Sequence, residues 1–251
     1  MGENELLDTV TTMACMMTKY GAEVYRAEES IRRICRAYGH PEAEIFVIPT
    51  EIIITLRREN GEPLTRTCRV TDRTVNLDRI DKYNGLSRHI CHSKPRYQTI
   101  MQKIDEIETR KIYPKAMNFI CNIIIGAVFA FFFGGGAFES ISAAICSALI
   151  FYVAEKMDKF GSGVFMKSFF CSFAAAVSAV LLSRLGLTEG FDKVIISSFM
   201  TLVPGVAITN CMRDFIAGDL LAGIYNLTEA LLIAAGMAVG AGVVIAAAVA
   251  V

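Results

Sequence analysis

From Ala116 onward the chain is dominated by apolar runs long enough to cross a bilayer, and this restricts it to a membrane fold. A hydrocarbon core of ~30 Å takes roughly 17 to 25 helical residues. Runs of that size fall near 116–133, 138–154, 164–185, 194–210 and 228–251. Backbone amides and carbonyls find no water at that depth, so these segments are expected as helices, about five spans in all. A further stretch, 215–225, is too short and too charged to cross unaided and reads as an interfacial or re-entrant helix.

The first 115 residues are chemically different. Of the 25 Lys and Arg, 19 precede Ala116, and of the 25 Asp and Glu, 17 do. That division explains how a chain 53% hydrophobic, with mean hydropathy +0.45, is still 20% charged. The expected fold is an α-helical polytopic membrane protein of about five spans with an N-terminal cytoplasmic α+β domain. The cytoplasmic domain is assigned to 1–115 and the transmembrane domain to 116–251. A net charge of +0 offers no basic surface of the kind that attracts nucleic acid.

Within the N-terminal part, Leu6, Val10, Met13, Ala14 and Met17 recur at helical spacing up to Gly21. Val24, Ala27, Ile31, Ile34 and Tyr38 make a second apolar stripe, with Glu28/Arg32 and Glu29/Arg33 four apart on the exposed side. Short β-branched runs at 45–48, 52–56 and 64–70 predict three antiparallel strands, the last two joined by a hairpin at Asn60-Gly61. Helical spacing returns from Leu77, capped by Asn76, and again after Ser93-Lys94-Pro95.

The N-terminus has no basic segment followed by an apolar run, as a secretory signal would, and Leu6 stands where a myristoylation motif needs Ser or Thr. The eight Cys form no C-x-x-C pair, and free buried thiols are expected rather than disulfides. Lys111 and Lys115 before the first span, Lys156, Lys159 and Lys167 around the second loop, and Arg213 after the fourth span place the N-terminus inside and the C-terminus outside. Gly236 and Gly240 form a small-xxx-small face, suited either to packing against another subunit or to an ordinary lipid-facing helix.

The segment 201–223, TLVPGVAITNCMRDFIAGDLLAG, carries the chemistry. Pro204-Gly205 breaks a membrane helix, which is tolerated where the freed backbone faces protein or a water-filled cavity. Asn210 and Asp214 are four apart, Arg213 lies beside them, and Asp219 follows about one turn beyond Gly218. Ionisable groups in such a setting mark a substrate or ion pathway. Either an Asp takes up and releases a proton while Arg213 holds a charged substrate group, or Arg213 and Asp214 are merely solvated in a loop. Asn118 and Asn122 either line a polar path or hydrogen-bond a neighbouring helix. Glu229 either joins the pathway or is an N-terminal helix charge.

In the soluble part, the run from Gly21 to Glu29 packs Glu23, Glu28 and Glu29 with Arg26 into about a turn and a half of helix. It reads as a ligand clamp or acid/base pair, or as a salt-bridged solvated face. His89, Cys91 and His92 lack a fourth ligand, so no metal is expected. There is no G-x-S-x-G, P-loop or H-E-x-x-H. No cofactor and no enzymatic activity are expected, and without a P-loop transport must draw on an ion gradient or a partner.

Four segments together, GAEVYRAEESIRRI, IPTEIIITL, RVTDRTVNLDRI and VPGVAITNCMRDFIAGDLLAG, resemble the threonine/serine exporter family over essentially the whole chain. The resemblance implies a cytoplasmic domain followed by about five spans, and export of small hydrophilic metabolites. Its soluble motif falls on Gly21, Ala22, Glu23, Arg26 and Glu28. Its membrane motif falls on Pro204, Gly205, Thr209, Asn210, Arg213, Asp214, Gly218, Asp219 and Gly223. Single-chain members continue into further spans, whereas this sequence stops at Val251, so it resembles the large subunit of the two-component form. That form implies a separate small membrane subunit, a hetero-oligomer in the cytoplasmic membrane, and for some relatives a dicarboxylate cargo such as succinate. The rival classes are a membrane-tethered ligand sensor and a membrane hydrolase using Glu23, Arg26 and Glu28.

Overall fold

The computed structural model describes every residue except 59, 111, 112, 189 and 251, so Lys111 and Val251 lie outside the described residues. The chain forms two units. The first joins Met1–Ile112 to Ile208–Asn226, and the second joins Tyr113–Ala207 to Leu227–Val251.

The first unit opens with helices α1 (Glu3–Lys19) and α2 (Val24–Ala37), followed by strands β1 (Glu44–Ile48), β2 (Glu51–Arg57) and β3 (Pro63–Arg69). The strands pair antiparallel in the order β1-β2-β3, with Ile48 opposite Glu51 and Arg57 opposite Pro63. Along β2 the pleat sends Ile52, Ile54 and Leu56 to one fully buried face, where they join Leu6, Val10, Met13 and Met17 of α1 in one core. Each such side chain contributes about 1.5–3 kcal/mol on burial.

Helices α3 (Leu77–Ser93) and α4 (Tyr97–Thr109) complete the N-terminal part. The Asn76 side chain accepts from the Arg79 backbone N–H at 3.1 Å, so the expected cap is present. A partly buried polar knot ties α1, α3 and α4 together. Tyr83, fully buried, donates to Glu108 at 2.7 Å, Arg79 reaches the same carboxylate at 2.9 Å, and Tyr20 donates to it as well.

Cys15 of α1 and Cys68 of β3 form a disulfide across 53 residues, which corrects the expectation of free thiols throughout. Cys15 packs at the edge of the core that α1 and the sheet share, a proximity that sequence spacing does not register. The other six Cys are free.

The second unit is helical. It contains α5 (Lys115–Phe132), α6 (Ala137–Lys159), α7 (Val164–Arg184), α8 (Phe191–Phe199), the first turn of α9 (Gly205–Ala217) and most of α10 (Leu220–Ala250). Among the described residues, α5, α6, α7 and α10 are long and apolar enough to cross a membrane. Phe119, Ile120, Ile124, Val128, Phe131 and Phe132 leave much of α5 presenting large apolar side chains outward, as a lipid-facing helix must.

Small residues set the helix spacing. A β-carbon at Gly126 of α5 would stand 2.9 Å from the Ala143 carbonyl oxygen of α6, and one at Gly236 of α10 would stand 2.6 Å from the Phe165 oxygen of α7. The Gly236/Gly240 face therefore packs on α7 of this chain, neither on lipid nor on another subunit.

Two further expectations change. The run 194–210 is two short helices, α8 and α9, separated by turn residues 200–204, where Pro204 lacks the N–H a continuous helix needs. The stretch 215–225 is not one interfacial helix. Gly218, at φ +90°, ends α9, and α10 begins at Leu220, eight residues before the expected last span.

Candidate functional site

The turn between α9 and α10 is built by backbone bonding. The Asp219 N–H donates to the Asp214 carbonyl at 2.9 Å and the Gly218 N–H to that of Phe215 at 3.2 Å, a pairing that requires a left-handed residue at Gly218. The chain folds back so tightly that the Phe215 ring fills the space a side chain at Gly223 would need. This turn places the end of α9 beside the start of α10 within the first unit.

Asp214 is the buried centre of the cluster, only 1% exposed. Its Oδ2 accepts from the Asn226 side-chain amide at 2.8 Å. Its Oδ1 has no hydrogen-bond donor among the described residues. The Asn226 oxygen is approached by both terminal nitrogens of Arg73 at 3.4 Å, and the Arg73 guanidinium lies 5.1 Å from the centre of the Tyr225 ring. Asp214 lies outside the four apolar spans. Burial raises its carboxyl above the ordinary value and the Asp219 and Glu23 charges add to the rise, while the Asn226 amide and Arg73 oppose it.

The soluble motif meets the same cluster. Glu23, 7% exposed at the start of α2, is ion-paired with both Arg26 and Arg213. The Gly21 carbonyl accepts from the Asn210 amide at 3.4 Å, and Ala22 packs into the core. Glu28 accepts from the Val47 backbone N–H at 3.1 Å. Burial raises the Glu28 carboxyl, opposed by that N–H, and the charge of Asp219 pushes it further up. Two motifs that sequence reading treated separately are thus one constellation: Gly21, Glu23 and Glu28 on one side, Asn210, Arg213, Asp214 and Asp219 on the other.

The remaining expected residues are placed elsewhere. Thr209 is an exposed residue of α9. Asn118, Asn122, Pro204, Gly205 and Glu229 belong to the second unit, and the Asn122 amide bonds back to the Asn118 carbonyl at 3.0 Å within α5. Arg73 and Asn226 were missed. Arg73 sits in the RVTDRTVNLDRI stretch, far in sequence from the amide it meets, and Asn226 lies three residues past the 201–223 segment. The available signal was a lone amide inside the apolar run LLAGIYNLTEALLI. Among the described residues no group of three His, Cys, Asp or Glu could hold a metal.

Long lipid-compatible helices, close glycine packing and a small α+β unit define a helical polytopic membrane protein. Over residues 8–248 the sequence matches the family described as "Putative threonine/serine exporter", and the chain belongs to that family. It is 22% identical over 242 residues to a "Probable threonine/serine exporter" of Mycobacterium tuberculosis, covering 94% of this chain and 45% of that protein. The chain thus spans under half the length of that relative. It is 23% identical over 228 residues to a "Probable succinate transporter subunit YjjP" of Klebsiella aerogenes, covering 90% of this chain and 88% of the other. No solved structure matches it.

Proposed function

We propose that this chain is the larger subunit of a proton-coupled exporter in the cytoplasmic membrane. Its cargo is a small hydrophilic metabolite, an amino acid of the threonine/serine type or a dicarboxylate such as succinate. The observation that carries this reading is Asp214, a nearly inaccessible carboxylate with one oxygen left without a donor among the described residues. An ionised carboxylate in that setting lacks part of its solvation, so the site favours uptake of a proton. The proton would sit on Oδ1, while Asn226 continues to donate to Oδ2.

Arg213 supplies the complementary charge. Its guanidinium is half exposed and held by Glu23, so an arriving substrate carboxylate can compete with Glu23 for the same fork of donors. Protonation of Asp214 and Glu28 would weaken the negative field around Asp219 and loosen that arrangement. Pro204-Gly205, between α8 and α9, would act as the gate. In this reading residues 194–210, from α8 into the first turns of α9, make a fifth crossing that ends before Asp214, the N-terminus is cytoplasmic and the C-terminus outside. A separate small membrane subunit completes the carrier, as the word "subunit" in the name of one relative suggests.

The test is metabolite efflux from cells expressing the chain with and without the neighbouring membrane-protein gene, at two external pH values. Efflux of an amino acid or dicarboxylate that needs both genes, and is lost in Asp214→Asn and Arg213→Ala while the protein stays folded, is the expected result. Wild-type efflux in both variants would remove the site. The hydrolase reading has less support, because Glu23 is occupied by two arginines and Glu28 by a backbone amide.

A further inference from the structure

A second concave site lies wholly within the first unit, between α2 and α3. On α2, Arg26, Glu29, Ser30 and Arg33 recur at helical spacing, and on α3 Asn84, Ser87, Arg88 and Cys91 do the same. The two stripes wall a cleft of about 680 Å³, within the ~300–1,000 Å³ scale of small-molecule sites.

The charge of this cleft is lopsided. Three guanidiniums, Arg26, Arg33 and Arg88, line it together with His92, against a single carboxylate, Glu29. Glu29 is already paired with Arg33, and Arg26 is shared with Glu23 outside the cleft. The side chains of Arg88 and His92 make no hydrogen bond or ion pair among the described residues. Both walls therefore carry positive charge, and the α3 wall has nothing to balance it. A concavity lined by one sign of charge concentrates counter-ions, and guanidinium forks match carboxylate and phosphate oxygens in pairs. Ser30 adds a hydroxyl donor, and the Tyr25 hydroxyl, which accepts from Arg26 at 3.0 Å, keeps its own proton to donate.

We propose that this cleft binds a soluble small anion carrying two or more carboxylate or phosphate groups, one engaged from each helix. The site is separate from the Asp214 cluster, and only Arg26 touches both. It makes the N-terminal unit a receptor for a charged metabolite, independent of the cargo that is moved.

The experiment uses the full chain in phosphatidylcholine nanodiscs, titrated calorimetrically with pyrophosphate and with citrate. At least one of the two is expected to bind saturably, one per chain. Arg88→Glu should weaken that binding at least tenfold, Arg88→Gln by a smaller factor, and Arg213→Ala should leave it unchanged. Both Arg88 variants alter an exposed side chain, and unchanged circular dichroism confirms that each is folded. Absence of binding by both anions, or wild-type affinity in both Arg88 variants, overturns the proposal. Loss of binding in Arg213→Ala also overturns it, by moving the anion to the transport cluster. Repeating the titration in nanodiscs with phosphatidylglycerol separates the remaining source. Unchanged affinity supports a soluble ligand, and competition by the lipid would make a headgroup the occupant and overturn the soluble one.

Discussion

Arg213 of α9 and Glu23 at the start of α2 form an ion pair across 190 residues of sequence. Glu23 is almost fully buried while Arg213 keeps half its side chain exposed. The carboxylate is therefore the fixed partner and the guanidinium the one free to exchange.

Because the pair is one interaction, its two halves should not act independently. Glu23→Gln and Arg213→Gln are each expected to lower efflux, and the double variant should be no worse than the poorer single. In thermal unfolding the same cycle should return a coupling of about 0.5–3 kcal/mol. Additive losses would mean that the two side chains serve different steps.

Asp214 sets a pH dependence whose sign follows from burial. Its folded-state carboxyl is raised, so its favourable contribution is complete below the ordinary carboxylate range near ~4 and is lost as pH rises through the folded value. Asp214→Asn keeps the shape and removes the titration. The variant is expected to melt above wild type near neutral pH, with the gap closing on acidification. Melting curves from pH 4 to 8 check this, and a gap that widens toward acid contradicts it.

Gly126 tests the packing of α5 on α6. A methyl there meets the Ala143 carbonyl oxygen and the Ser147 side chain at once. Gly126→Ala should destabilise the second unit by about 1–3 kcal/mol, the usual cost of overpacking. Adding Ser147→Ala should recover part of this, because it removes the hydroxyl but leaves the residue's β-carbon and the Ala143 carbonyl, each 2.9 Å from the added methyl. Detergent-melting of the two variants measures both.

Alkylation of the denatured, unreduced protein should modify six thiols, and reduction beforehand should raise the number to eight. In the folded state Cys35 should be the slowest of the first-unit thiols to react. Burial pushes it up to about 12, leaving almost no thiolate at neutral pH. Mass spectrometry of peptides containing Cys15, Cys35 and Cys68 reads all three outcomes.

A fluorescent or alkaline-phosphatase reporter fused after the C-terminal residue reports the number of crossings. With residues 194–210 forming a fifth crossing, the phosphatase should be active and the cytoplasmic reporter dark. The reverse pattern would leave only the four long helices as spans.

Much of this architecture was legible because it rests on local periodicity. The stripe of α1, the β-branched run of β2 and the cap at Asn76 all occur within a few residues, and each is where sequence placed it. What stayed hidden depends on distant partners. Glu23 reads as a surface charge until Arg213 is beside it, and Cys15 reads as a buried thiol until β3 brings Cys68. Arg73 and Asn226 gave no periodic signal, since each is a lone polar group in its segment and they meet across 153 residues. Hydropathy also joined α8 to α9, because averaging over a window erases the turn at 200–204.

The first unit is discontinuous, and Ile208–Asn226 belongs to it as fully as the strands do. Ala222 sits in the same core as Leu6 and Ile54, so part of that core is supplied late. During synthesis the N-terminal helices and sheet leave the ribosome before Arg213, so Glu23 lacks that partner until everything between Tyr113 and Ala207 has been made. Closure of the first unit thereby waits until Tyr113–Ala207 of the second has been made, so a nascent chain stalled before residue 208 carries a first unit that lacks its last segment. A fragment cut at Ile112 would freeze the protein at that immature stage.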